Sequence, residues 1–307
     1  VVDRLLLIAN PASSQFSGGI HRTAVRTLRR RYEVEPAWPQ SARHAAELAG
    51  RAVEEGVGLV AAMGGDGIVH TVAQALAETK VPLVVLPSGT TNVFARLMGI
   101  PEKAVPAARL ATGNHRVVEV PLLRMVLTSD RTTLRRWAVF AAGFGFDAEV
   151  VARAEAEPYR KYRFGGVHYA RTALSVALGG FRRRLPHIMV ASGDRRTDGV
   201  ALLAQFRPVY TYFGRFSLRL ATDPPDPITL LVLERMRRRR IPAIVRRLLS
   251  GADLGAMSDF TVWQGVETAV FEADPPVLGE ADGELLGPID HGELSLQPDA
   301  LRVVVPA

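Results

Sequence analysis

Short apolar runs that alternate with helix-period segments are the feature that most constrains this chain. Arg4 to Ala9 (RLLLIA), Leu59 to Met63 and Val81 to Leu86 each read as a buried strand. Helical spacing covers Ile20 to Arg31, and recurs in Ser41 to Glu55, where Ala45, Leu48, Ala49 and Ala52 share a face and Ser41 suits the N-cap. Ile68, Val72, Ala75 and Leu76 repeat the period, and Val93 to Met98 opens another helix. Strands and helices in alternation imply a parallel sheet with helices on its faces.

The pattern changes near Pro121. Leu122 to Leu127 and Leu134 to Ala142 flank a polar turn, Thr128 to Thr133, and read as a hairpin. Further strands are expected at Ile188 to Ala191, Val200 to Phe206, Phe216 to Ala221, Ile228 to Glu234, Phe260 to Trp263, Thr268 to Glu272 and Glu293 to Leu296. Many short strands with Gly and Pro turns suggest a sandwich-like domain, interrupted by helical insertions at Ala148 to Arg183 and Arg239 to Leu249. A length of 307 residues also favours two cores over one. The expected fold is therefore α/β plus β, a parallel-sheet α/β domain at 1–120 followed by a sandwich-like β domain at 121–297.

Composition removes some chemistry. The chain has no cysteine, which excludes disulfides, thiol catalysis and thiolate zinc sites, and fits a reducing compartment. Its seven histidines are dispersed without an HExxH pattern. No apolar run approaches the roughly 18 to 20 residues needed to span a bilayer, and Val1-Val2-Asp3-Arg4 lacks a signal-peptide pattern, so a cytoplasmic location is expected. A formal charge of +7 suits a polyanion, whether nucleotide, nucleic acid or anionic lipid surface. Arginine supplies nearly all of it, since lysine occurs only at Lys80, Lys103 and Lys161. The run Arg235-Met236-Arg237-Arg238-Arg239-Arg240, with Arg246 and Arg247, reads either as a solvated face or as a contact for anionic headgroups.

Two turns carry the functional signal. Gly64-Gly65-Asp66-Gly67 lies between a strand and a helix, where backbone N–H groups and the helix N-terminus favour an anion. Asp66 would repel a bare phosphate and suits Mg²⁺, a ribose hydroxyl or the reacting hydroxyl. Pro87-Ser88-Gly89-Thr90-Thr91-Asn92 also follows a strand and so falls on the same carboxyl edge of the sheet. Its hydroxyls and amide can donate to phosphate oxygens, or Thr91 or Asn92 can cap the next helix. No GxxxxGK[ST] is present, which argues against a P-loop enzyme. Gly143-Phe144-Gly145-Phe146-Asp147-Ala148 matches a dinucleotide fingerprint, but its strand belongs to a hairpin and no acidic residue follows at the ribose distance. Capping of the next helix by Asp147 is the better reading.

Asn10-Pro11, then Gly-Gly-Asp-Gly, then Pro-x-Gly-Thr-x-Asn with Phe94-Ala95-Arg96, resembles the diacylglycerol kinase catalytic family, which includes sphingosine kinases. The resemblance extends to Gly143 to Asp147, Phe164-Gly165, Tyr169 and Asp282-Gly283-Glu284. It implies an ATP-dependent lipid kinase with lipid and ATP meeting between a Rossmann-like domain and a β-sandwich domain, and with 298–307 returning to the first domain. It places ATP against Asn10, Ser41, Gly64, Gly65, Asp66, Gly67, Ile68, Val69, His70 and Thr90, joined by Ser88, Gly89, Thr91 and Asn92 of the second turn. Catalytic roles fall to Asp282 or Glu284 as general base and to Asp66, and a structural Mg²⁺ to Asp223, Asp226 and the Ile228 carbonyl. The implied partner is a lipid substrate at the inner face of the membrane, with no nucleic acid, and relatives are often dimers. Three positions depart from the family pattern: Val93 replaces an acidic residue, Ile68 replaces Thr, and Phe213-Gly214-Arg215 lacks paired glycines. The alternatives are a non-catalytic nucleotide- or lipid-binding member and a relative of the NAD kinases, which share the Gly-Gly-Asp-Gly turn.

Overall fold

A computed structural model describes residues 3–130, 132–156, 171–179, 181, 184–213, 216–220, 227–250, 252 and 254–307. The chain divides into two units, Val1–Leu122 with Gln297–Ala307, and Leu123–Leu296.

The first unit runs β1 (Arg4–Ala9), α1 (Gly18–Leu28), β2 (Glu33–Ala37), α2 (Ala42–Glu54), β3 (Leu59–Gly64), α3 (Asp66–Leu76), β4 (Leu83–Pro87), α4 (Val93–Leu97) and α5 (Ala104–Thr112). Its strands lie in the order β2-β1-β3-β4, all parallel, and the final strand of the chain joins β4 through Val303 and Leu83. Every residue of β3 and β4 is buried, as befits strands covered on both faces. Helix α1 starts earlier than its periodicity predicts because the Ser17 hydroxyl accepts from the Ile20 N–H. The edge strand β2 and helix α5 escaped the sequence reading. In β2 (EVEPA) only Val34 is fully buried, so no apolar run marks it; α5 buries only alanines.

The second unit comprises β5 (His115–Ser129), β6 (Thr132–Ala138), β7 (Ala141–Phe144), α6 (Phe146–Glu155), β8 (Ile188–Ser192), β9 (Arg195–Gly199), β10 (Ala201–Gln205), β11 (Thr211–Phe213), β12 (Phe216–Leu218), β13 (Ile228–Leu233), α7 (Ile241–Ser250), β14 (Phe260–Val266), β15 (Thr268–Ala281) and β16 (Glu284–Pro306). Strands β5 and β16 are long enough to run on into the first unit. The expected hairpin forms, with Ser129 opposite Thr132, but its second arm breaks at Val139-Phe140 into β6 and β7.

Pairing within this unit is antiparallel and forks at β15, whose Val270–Ala273 pair with β8 while Gly279–Ala281 pair with β7. One branch continues through β10, β13 and β14. Leu202, Ala204, Leu230 and Val232 of that branch share a core with Ile188, Val190, Leu123, Met125 and Leu127. The expected sandwich layers are thus branches of one sheet joined through β15. The inserted helical region contains α6 and a helical stretch at 171–178; Phe164, Gly165 and Tyr169 lie outside the described residues. Among the described residues no helix is long and apolar enough to cross a membrane.

Gly292 shows how tightly the fork is packed. A Cβ there would lie 2.2 Å from Phe271 Cε1 and 3.0 Å from Leu127 Cδ2, both in the core. Gly292→Ala is expected to cost about 1–3 kcal/mol through overpacking, read as a lowered thermal midpoint with unchanged far-ultraviolet circular dichroism.

Candidate functional site

In the first unit the loops after β1, β3 and β4 meet at the carboxyl edge of the parallel sheet, the edge where such sheets bind ligands. Asn10 opens the first loop: its N–H donates to the Met63 carbonyl at 2.9 Å and its Oδ1 accepts from Ala12 N–H at 3.0 Å. Ser13 Oγ meets Ser88 Oγ at 2.8 Å, Ser14 Oγ meets Thr90 Oγ1 at 2.9 Å, and Gln15 Nε2 donates to the Gly89 carbonyl at 2.9 Å. Ser88 N–H donates to the Gly64 carbonyl at 2.8 Å, tying the second loop to the third. Ser13, Ser14 and Gln15 were not singled out from sequence. Their signal was only a polar loop following a buried strand.

Glycine makes this meeting possible. A Cβ on Gly89 would lie 2.5 Å from Gly65 Cα and 2.8 Å from Asn92 Oδ1, and one on Gly64 would lie 2.5 Å from Ile68 Cγ2. The glycine N-cap of α3, Gly65, provides no side-chain cap, so first-turn N–H groups face the loop edge with the positive end of the helix dipole.

Asp66 is tied to the neighbouring loop. Its Oδ2 accepts from Val93 N–H at 2.9 Å and its Oδ1 from Phe94 N–H at 3.1 Å, so both oxygens cap α4 from another loop. Asn92, at φ 48°, closes its own loop through Nδ2 to the Gly89 carbonyl at 2.9 Å and Oδ1 to Gly89 N–H at 3.1 Å. It makes no side-chain cap on α4.

The other expected ATP contacts divide by geometry. Ser41 is exposed, but its hydroxyl accepts from His44 N–H as the cap of α2. Gly67 is half-buried in the first turn of α3, whereas the Ile68, Val69 and His70 side chains are buried. His70 contacts Gln74 along the helix, and Val69 N–H donates to the Gly65 carbonyl at 3.4 Å. Thr90 and Thr91 reach the surface to differing extents. Val93 is buried, so its side chain packs inward where the family pattern has an acid. Beside the first loop, Trp38 is 46% exposed and packs 4.4 Å from the His21 ring, with Phe16 at its edge. Burial, reinforced by Arg22, lowers the His21 pKa and keeps that ring neutral.

The second unit builds a different cluster around the hairpin between β15 and β16. Asp282 and Gly283 both have positive φ, 55° and 85°, the signature of a two-residue type I′ turn. The Asp282 carboxylate is buried and accepts three backbone N–H groups, from Val139 at 2.7 Å, Phe140 at 2.8 Å and Ala141 at 3.1 Å. It therefore organises the break between β6 and β7. Glu284 is exposed at the far side of the turn. Arg207, nine-tenths buried, donates to the Val139 carbonyl at 3.3 Å. Burial pulls its pKa down to about 10, against the pull of Asp282.

Next to this corner sit Asp147, Tyr210 and Glu280. Tyr210 Oη donates to Asp147 and lies 3.3 Å from Glu280 Oε1, while Gly283 N–H donates to Glu280 Oε2 at 2.8 Å. Gly143 makes room for them, since a Cβ there would approach Asp147 Cβ and Glu280 Oε1 to 2.9 Å each. Gly145, at φ 86°, would drive a Cβ to 2.6 Å from the Val200 carbonyl. The Gly-Phe-Gly-Phe-Asp motif thus accommodates buried acids, and Asp147 bonds Tyr210 instead of capping α6. Glu280 and Tyr210 had no sequence signal of their own.

Burial raises the pKa of Glu280 well above its usual 4.5, and that of Asp147 also rises, chiefly by burial. An acid whose folded pKa is raised stabilises the fold below the unfolded value and loses that contribution as pH climbs through the folded one. Wild-type stability should therefore fall as pH rises above about 4.5. Glu280→Gln should flatten that slope in denaturant titrations at stepped pH; parallel curves would show that Glu280 does not titrate on unfolding.

Of the expected metal ligands, Asp223 and Asp226 lie outside the described residues, and Ile228 is buried at the start of β13. Among the described residues no cluster of three or more acidic, His or Cys side chains could hold a metal.

Residues 4–124 match the family model for the diacylglycerol kinase catalytic domain. The chain is 26% identical over 99% of its length to a diacylglycerol kinase of Mycobacterium tuberculosis, covering 96% of that relative. A protein of Xanthomonas oryzae pv. oryzae named "Probable lipid kinase YegS-like" is 34% identical over half of each chain. In fold, the chain is similar to the crystal structure of a diacylglycerol kinase from Bacillus anthracis (TM-score 0.68, 15% identity, 99% of this chain and 97% of that one). It is also similar to yeast NADH kinase solved with NADH (TM-score 0.53, 11% identity, 100% and 84%). The match over residues 4–124, together with the curated relatives, supports the diacylglycerol kinase catalytic domain family for this chain.

Proposed function

We propose that this protein transfers the γ-phosphoryl group of MgATP to the free hydroxyl of a diacylglycerol-like lipid. The observation that carries this reading is the backbone approach of Gly65 and Gly89 beside the uncapped start of α3. It leaves a side-chain-free edge with N–H donors and a helix dipole, which suits a polyphosphate. Gly64 to Ile68 would hold the phosphates through their backbone, Ser88 to Thr91 would close over them, and the exposed face of Trp38 offers a stacking surface for the base.

In the reaction the lipid O–H bond breaks, a new P–O bond forms to the lipid oxygen, and the γ-phosphorus to β,γ-bridging oxygen bond breaks to release ADP. Such transfers depend mainly on positioning and charge stabilisation, because little covalent work falls to the protein. Bound Mg²⁺ supplies charge neutralisation on the phosphates. Asp66 acts as a positioning residue in this scheme: by fixing α4 it fixes the Ser88 to Asn92 loop. Asp282 is buried and already accepts three backbone N–H groups, whereas Glu284 is exposed, so the two candidate bases differ in access to a lipid hydroxyl. The buried side chain of Val93 and the engaged carboxylate of Asp66 favour, as the second reading, a member that binds ATP without turnover.

Incubation with γ-labelled ATP, Mg²⁺ and diacylglycerol in mixed micelles should move label into the organic phase. Gly89→Ala should reduce transfer and ATP binding together by about a hundredfold or more, as expected when a reacting group is displaced by an ångström. A positioned base is worth about 10²- to 10⁴-fold, so Asp282→Asn and Glu284→Gln should separate the two candidates, with circular dichroism checking the Asp282 corner. ATP binding without label in diacylglycerol, monoacylglycerol, phosphatidylglycerol or sphingoid bases would favour the second reading. Label in NAD would place the chain with the NAD kinases.

A further inference from the structure

The second unit carries a basic, partly apolar face that neither cluster uses. A single 3₁₀ turn, Arg238–Arg240, leads directly into α7. Seven arginines, Arg235, Arg237 to Arg240, Arg246 and Arg247, stand in the segment 234–259 against three acids, Glu234, Asp253 and Asp259. Asp253 lies outside the described residues, and the other two acids are committed. Buried Asp259 lies 3.1 Å from Arg237 Nε and 3.4 Å from Arg240 Nε, and Glu234 accepts from the Thr261 hydroxyl at 2.6 Å. Arg235, Arg238, Arg239 and Arg246 are exposed, so the face keeps a strong positive excess.

Apolar side chains sit within the same face. Ile241 and Ile244 are buried, while Pro242 and Val245 beside them on α7 are exposed. A groove beside them is lined by Leu174, Ile241, Pro242, Val245, Arg246 and Ser250. Leu174 and Leu178, one turn apart, are 45% and 40% exposed, and Val245 is 43% exposed. Exposed leucine and valine gain nothing in a solvated face or against a phosphodiester backbone. Cations ringing apolar side chains match the headgroup and acyl layers of a bilayer interface.

We infer that Leu174, Leu178, Pro242 and Val245 insert into an anionic bilayer while Arg235, Arg238, Arg239 and Arg246 engage its headgroups. The inference rests on the lipid-kinase reading only for the setting of a bilayer surface, and its test needs no turnover. Full-length protein is sedimented with vesicles of phosphatidylcholine alone or mixed with phosphatidylglycerol. Wild type should pellet with the anionic vesicles and largely remain in solution with the neutral ones.

Each basic residue near an anionic surface is worth roughly fivefold in partitioning. Replacing Arg235, Arg238 and Arg239 together by Gln should therefore weaken binding about 100-fold. Val245→Asp with Leu174→Asp should lose binding with every arginine intact. Both variants should still phosphorylate detergent-dispersed diacylglycerol if the kinase reading holds, so loss of vesicle binding and loss of activity are read separately. Unchanged partitioning of the triple variant would overturn the inference. So would duplex DNA or RNA binding that survives the aspartate substitutions while wild type ignores anionic vesicles.

Discussion

Gly89 and Gly65 come so close that a single methyl group on Gly89 would sit 2.5 Å from the neighbouring backbone. The arrangement of the first unit's ligand edge depends on that contact. Two parallel strands end side by side, Gly64 opposite Pro87, and without side chains their loops fold onto each other before either helix begins. Asn92 fixes the conformation of one loop, Asp66 links the other loop to α4, and Ser13, Ser14 and Gln15 seal the meeting point from the side. Nucleotide binding would then require little reorganisation, because the donors are already held by interactions that do not involve the ligand.

The second unit solves a harder electrostatic problem. A buried carboxylate is tolerable only when hydrogen bonds replace its lost hydration, and Asp282 obtains three from one broken strand. Glu280 and Asp147 obtain less, share Tyr210, and respond by holding protons to higher pH than ordinary carboxyls. Arg207 places a cation beside the same corner. Such a concentration of buried ionisable groups has to be offset by the hydrogen bonds among them.

Much of the first unit was legible because its strands are continuous apolar runs and its glycine turns interrupt them. The edge strand β2 was not, since an exposed edge needs no apolar pattern, and neither was α5, whose alanines leave no strong period. Both glycine motifs were placed on the correct sheet edge from order alone. The role of Asp66 was hidden because its partners, Val93 and Phe94, are 27 and 28 positions away, a distance no local pattern reports. The same holds for Tyr210 and Glu280, which reach Asp147 only through the antiparallel register of β7, β10 and β15. In Asp282-Gly283 the turn chemistry was readable, but the three backbone donors come from residues more than 140 positions earlier.

On the proposed function, the joined glycine loops of the first unit receive the phosphates of a nucleotide. Amide hydrogen exchange of the full-length protein with and without MgATP tests it most directly. Protection should appear at 64–68 and 88–92, with lesser slowing at 10–15. Protection absent from both glycine loops, or confined to segments away from the carboxyl edge of β1, β3 and β4, would contradict the account.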